Sequence, residues 1–169
     1  MDSKMPSFSQ KKWDGIVEDF FQKYAGLQAW HDEIEKTVRK TGYLTGPTGQ
    51  VWAFQKERKK QGYFDYSKEK IYNYPVQGTS GALIKLALIT IRKRSEHLKQ
   101  KKFVMTVHDS LIWDVHESEL EELAKINLSV FQELPDLCKK YFGFYINVPI
   151  TGEAQWGGSW GNMINELTL

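Results

Sequence analysis

Cysteine is nearly absent. Cys138 is the single one in 169 residues, so no internal disulfide framework can form. A lone thiol of this kind fits a reducing compartment. Long apolar runs are missing as well: the most apolar stretch, Ala82 to Ile91, is short and carries Lys85, which excludes a membrane span there. The first residues, Met1-Asp2-Ser3-Lys4, are polar, unlike a secretory signal. The expected location is therefore the cytoplasm, with no membrane partner. There are no internal repeats and no low-complexity segment.

What is present is ordinary globular material. Hydrophobic residues make up 41% and charged residues 26%, enough for one domain with a real core and little for two. The net charge of +2 conceals an asymmetry. Residues 1–108 hold 20 Lys and Arg against 11 Asp and Glu, while residues 109–169 hold 3 against 10. One basic and one acidic half suit a protein with one face turned to a polyanion, although a solvated charged surface gives the same counts.

Helical spacing of Trp13, Ile16, Val17, Phe20, Phe21, Tyr24, Leu27, Trp30, Ile34 and Val38 predicts helix over residues 11–41, broken near Gly26 and ended by Gly42. Tyr43 to Trp52 reads as a hairpin around a Gly/Pro turn, followed by a loop with the basic run Lys56-Glu57-Arg58-Lys59-Lys60. A helix capped by Ser67 should be interrupted at Pro75 and Gly78 and resume from Thr79 to about Gln100, burying Leu83, Leu86, Ala87 and Thr90. Strands at Lys102–His108 and Leu111–Val115 follow, then a helix from about Glu117 to Lys140. Short strands at Tyr145–Ile150 and Gly152–Trp156 and a brief closing helix complete the reading.

Two places could carry chemistry. Alternation of Phe103, Met105 and Val107 with Val104, Thr106 and His108, resuming at Leu111, makes Asp109-Ser110 a two-residue hairpin connection. Glycine is the usual residue there, and its absence hints at side-chain use. A carboxylate fixed by two strands suits a metal ligand, although aspartate is also a good turn residue. Asn73 and Gln77 are four apart, so on a helix both amides share a face. Amide donors could meet the purine N3 and pyrimidine O2 acceptors common to every pair in a DNA minor groove, and Gly78 allows close backbone approach. Capping and turn chemistry around Pro75 is the alternative.

Taken together, Asn73-Tyr74-Pro75-Val76-Gln77-Gly78-Thr79, Ile84-Lys85-Leu86-Ala87 and an apolar strand ending in Val107-His108-Asp109 resemble the C-terminal palm region of family A DNA polymerases, the bacterial polymerase I and related phage group. Phe20-Phe21-Gln22-Lys23-Tyr24 with Ala29-Trp30, Gly42-Tyr43-Leu44-Thr45, Val148-Pro149-Ile150 and Gly158-Ser159-Trp160 extend the resemblance over residues 13–162. It implies an α+β fold: part of a palm whose antiparallel strands carry the Val-His-Asp hairpin, with long flanking helices. Residues 1–12 would be a leader and 13–169 the C-terminal palm and fingers-base portion.

The resemblance also implies roles. Asp109 would be one of two carboxylates holding two Mg2+ ions for nucleotidyl transfer from a dNTP. His108 would contact the primer terminus, and Asn73 and Gln77 the minor groove of primer-template DNA. Lys85, with Arg92, Lys93 and Arg94, would be backbone contacts or else a solvated face. No first carboxylate motif, fingers helix or exonuclease domain is identifiable, so the expectation is one chain of a split, phage-type polymerase or a fragment of one, inactive without a second polypeptide. Ser110 stands where the family has Glu, Glu69 where Arg is common, and Gln50-Val51-Trp52 in place of a basic run. These departures lean towards the alternative, a non-catalytic DNA-binding or regulatory module, while the retained His108-Asp109 pair leans against it. Two lookalikes are set aside: His31-Asp32-Glu33 falls inside a helix, and Asp65-Tyr66-Ser67 precedes Asn73 as a cap.

Overall fold

The fold is that of a computed structural model that describes residues 9–168; most of the expected leader lies outside them. The architecture is mixed α+β, with helices and two-stranded antiparallel sheets. The chain forms two compact units. One is drawn from residues up to Leu44 and from Val51–Tyr74, the other from Thr45–Gln50 and from Pro75 onward.

In the first unit, α1 (Gln10–Lys23) and α2 (Ala25–Thr41) meet at Tyr24, whose φ of −114° and ψ of 56° leave the helical region. The joint was expected at Gly26. Gly26 instead sits in the first turn of α2, where backbone amides lack helical partners anyway. Gly42 ends α2 in the left-handed conformation, φ 81°, its N–H donating to the Val38 carbonyl at 2.8 Å. The hairpin β1 (Tyr43–Thr45) and β2 (Val51–Ala53) follows as expected. A second hairpin, β3 (Glu57–Arg58) with β4 (Phe64–Asp65), replaces the expected loop. Two-residue strands are too short to register as alternation. Val38, Leu44 and Ile71 form the core of this unit, with Ile34, Trp52, Phe54, Tyr66 and Tyr72 packed around it.

Helix α3 (Lys68–Arg94) runs unbroken through Pro75 and Gly78, contrary to the expected interruption, and stops at Arg94 rather than near Gln100. Ser67 caps it, Oγ accepting the Lys70 N–H at 3.4 Å. Proline removes the N–H that would bond the Ile71 carbonyl, a loss of about 3 kcal/mol in an unsupported helix. Burial of Ile71 before it and of Leu86, Ala87 and Ile91 after it outweighs that loss, at about 1.5–3 kcal/mol per large side chain. Leu83 and Thr90 are only half-buried. At the far end the buried Ser95 hydroxyl donates to the Ile91 carbonyl at 2.7 Å and the chain turns away.

In the second unit, β5 (Lys101–Val107) pairs with β6 (Ser110–Val115). Helices α4 (Glu117–Gln132) and α5 (Leu134–Phe142) replace the single helix expected to Lys140. Pro135 cannot donate to the turn before it, so the helix stops and restarts with proline in a first turn, where no donor is needed. The contrast with Pro75 is one of context. A hairpin of β7 (Glu153–Ser159) and β8 (Asn162–Thr168) occupies the tail where a brief helix was expected, and no strand forms over residues 145–150. The core here joins Leu86, Ala87, Ile91 and Leu98 to Leu123, Val130, Leu134, Leu137 and Cys138.

Candidate functional site

The tip of the β5–β6 hairpin differs from its expected form by one residue. Val107 pairs with Ser110, so the two connecting residues are His108 and Asp109, not Asp109 and Ser110. His108 has φ 53°, the one positive value on a non-glycine residue in the described chain. A two-residue hairpin needs left-handed backbone at its first position, where glycine is usual. Holding histidine there costs about 1–3 kcal/mol. A bulge between Phe103 and Met105 also shifts the alternation, leaving Met105 44% exposed instead of facing inward with Phe103.

The result is an imidazole and a carboxylate side by side and exposed at a short, two-stranded tip. Among the described residues, neither takes part in a hydrogen bond or ion pair. That leaves both side chains open to an external ligand.

Asn73 and Gln77 are exposed and one turn apart on the continuous α3. Had the helix broken at Pro75, their amides would not share a face. Gly81 continues that face with nothing within 4 Å of where a side chain would begin, and Ser80 and Lys85 beside it are exposed.

Strands rise about 3.3 Å per residue, so β5 carries the tip about 20 Å from its base. Leu83 and Leu111 pack against one buried cluster, as do Trp113 and Val115 nearer the base. Hairpin and helix thus share a core.

The lookalike motifs have structural occupations. His31 lies within α2, stacked on Tyr72 at 3.9 Å and 14°, and Asp32 accepts from Gln28 at 2.9 Å. Asp65 is clamped by the Arg39 guanidinium at 2.7 and 3.1 Å. Those bonds, with the Tyr66 N–H, hold its carboxyl down at about 2. Burial would raise Glu35, but hydrogen bonds from Lys68, Arg39 and Tyr72 bring it below its ordinary value. Of the family departures, Ser110 is exposed at the start of β6, and Glu69 accepts from the Ser67 hydroxyl at 2.7 Å, so its charge lies against the helix cap. Among the described residues, no three or more His, Cys, Asp or Glu are grouped to hold a metal ion.

By fold, the chain is a partial polymerase domain. It superposes on the POL domain of Pol1 from M. smegmatis, solved in complex with DNA primer-template and dNTP, with a TM-score of 0.60 and 19% identity over 85% of this chain and 24% of that one. The chain belongs to DNA polymerase family A, whose family model matches residues 3–162. Similar curated proteins are DNA polymerase I of Streptococcus pneumoniae, 22% identical over 160 residues, and the thermostable DNA polymerase I of Thermus aquaticus, 24% identical over 146. These alignments cover 90% and 86% of this chain but 16% of each relative.

Proposed function

We propose that this chain is the C-terminal portion of a DNA-directed DNA polymerase, acting in the cytoplasm with a second polypeptide that carries the remaining polymerase motifs. In a phage-encoded split enzyme that would be the host cytoplasm. The observation that carries this reading is Asp109 at the β5–β6 tip, with an open carboxylate and an exposed histidine before it, in a chain of this family.

A hard carboxylate oxygen fits Mg2+, which is commonly held by one or two carboxylates together with water and substrate phosphates. Asp109 fits by donor type, and the rest of the ligand set comes from outside the described residues. When bound, Mg2+ supplies Lewis-acid activation of the primer 3′-oxygen and neutralises charge on the pyrophosphate leaving group. The chain's own part is positional. Asp109 holds one arm of the metal site and His108 meets the primer terminus. Asn73 and Gln77 donate to minor-groove acceptors whatever the base pair, and Lys85 meets backbone phosphate.

Replacement of the family's acid by Ser110 supports a second reading, a module that binds primer-template without catalysis. Primer extension by this chain mixed with the polypeptide carrying the missing motifs separates the two. The catalytic reading expects activity in the mixture alone, lost with Asp109→Asn. Activity that survives Asp109→Asn would remove the metal role. No activity, with primer-template binding intact, selects the binding module.

A further inference from the structure

The β3–β4 hairpin has a surface that the proposed catalytic role leaves unused. Its strands pair Glu57 with Asp65 and Arg58 with Phe64. Its turn is fixed by the Lys59 N–H donating to the Tyr63 carbonyl at 2.8 Å and the Gly62 N–H to the Lys59 carbonyl at 2.9 Å. Gly62 sits at φ 88°, where a side chain would be strained. The hairpin is thus a built element.

Both of its acids are matched internally. Glu57 pairs with Lys70, and Asp65 is held by the Arg39 fork. Arg58, Lys59 and Lys60 form no ion pair among the described residues, and Lys56 lies over the Tyr66 ring at 5.7 Å. The hairpin therefore carries a net positive field. Beside these cations are two outward rings, Tyr63 at 56% and Phe64 at 64% exposed. The strand register sets Arg58 directly across from Phe64, so cation and ring share one face.

We propose that this hairpin is a second nucleic-acid contact, specific for unpaired bases: Tyr63 and Phe64 stack on bases of a single strand while Arg58 and Lys60 meet its phosphates. Exposed rings beside cations are the chemistry of single-strand binding, because a ring stacks on a base that has left its duplex. Duplex DNA or an acidic peptide would use the cations and leave both rings in water. Charge complementarity alone fits all three. The rings select the single strand.

The test uses the full chain without metal or partner polypeptide, so it does not depend on Asp109. Anisotropy of a labelled dT12 strand, a 12-base-pair duplex and poly-glutamate is measured for the native chain, Tyr63→Ala/Phe64→Ala, and Arg58→Gln/Lys60→Gln. Circular dichroism checks folding. The ring variant, which removes two stacked bases, is expected to lose about 30-fold or more in dT12 affinity with duplex binding unchanged, and Tyr63→Trp to retain it. The charge variant should lower the salt slope for dT12 by about 1.4, for two phosphates released. The proposal is overturned by an unchanged dT12 affinity in the ring variant, by equal loss on duplex, or by poly-glutamate binding that depends on the same cations and exceeds that of dT12.

Discussion

Arg39 and Asp65 are 26 residues apart in sequence and form a two-pronged ion pair, Nη1 to Oδ1 at 2.7 Å and Nη2 to Oδ2 at 3.1 Å. The pair ties the end of α2 to β4, and Arg39 also reaches Glu35. It engages both oxygens of the Asp65 carboxylate, which is therefore not open to a ligand as Asp109 is.

This pair predicts a pH dependence. Asp65 is lowered from 3.8 to about 2, chiefly by Arg39. Because the folded value is the lower one, the pair favours the folded state above 3.8, and that support is lost as pH falls toward 2. Arg39→Met should return the Asp65 carboxyl to near its ordinary value in an NMR titration and remove this part of the acid sensitivity. A titration unchanged by the substitution would show that Arg39 is not the cause.

Arg94 and Glu133 make a similar fork at 2.7 and 2.6 Å, joining the end of α3 to the α4–α5 joint. Both side chains are over a third exposed, which limits the effect. A double-mutant cycle with Arg94→Met and Glu133→Gln should give a coupling of about 0.5–1 kcal/mol in urea unfolding, falling in high salt.

His108→Gly should stabilise the chain by up to about 1 kcal/mol, since glycine relieves the positive φ while adding some unfolded-state entropy. Primer extension by the two-chain mixture should fall at the same time. A rise in urea midpoint with loss of activity would mark the strained histidine as kept for contact; loss of stability would show that its side chain supports the turn.

Gly157→Ala should destabilise the β7–β8 hairpin. An added Cβ would lie 1.7 Å from the Asn162 carbonyl oxygen, which is backbone and cannot swing aside. A loss of about 1–3 kcal/mol is expected, with faster amide exchange along Glu153–Thr168. Gly158→Ala, with nothing within 4 Å, is the control.

The placement of the candidate site's residues was partly legible in sequence because it rests on local chemistry. Four-residue spacing puts Asn73 and Gln77 on one helical face, and strand alternation puts a hairpin tip at Asp109-Ser110, one residue from the turn that forms. The family resemblance rests on the same short motifs, and the family match over residues 3–162 agrees with it. What was misread depended on distant partners. Pro75 and Pro135 carry the same defect in sequence, a missing N–H, yet one helix continues and the other breaks.

The sequence by itself determined the mixed α+β class, the family, and which side chains are polar where chemistry could occur, because these follow from periodicity, turn residues and ordered motifs. The tertiary structure decided the rest. It carried α3 through Pro75 by burying apolar side chains on both sides, and the cross-strand register moved the turn onto His108. It also engaged Asp65 with Arg39 while leaving Asp109 open. Each outcome depends on which distant groups meet, and burial and pairing energies settle that only once the chain has folded.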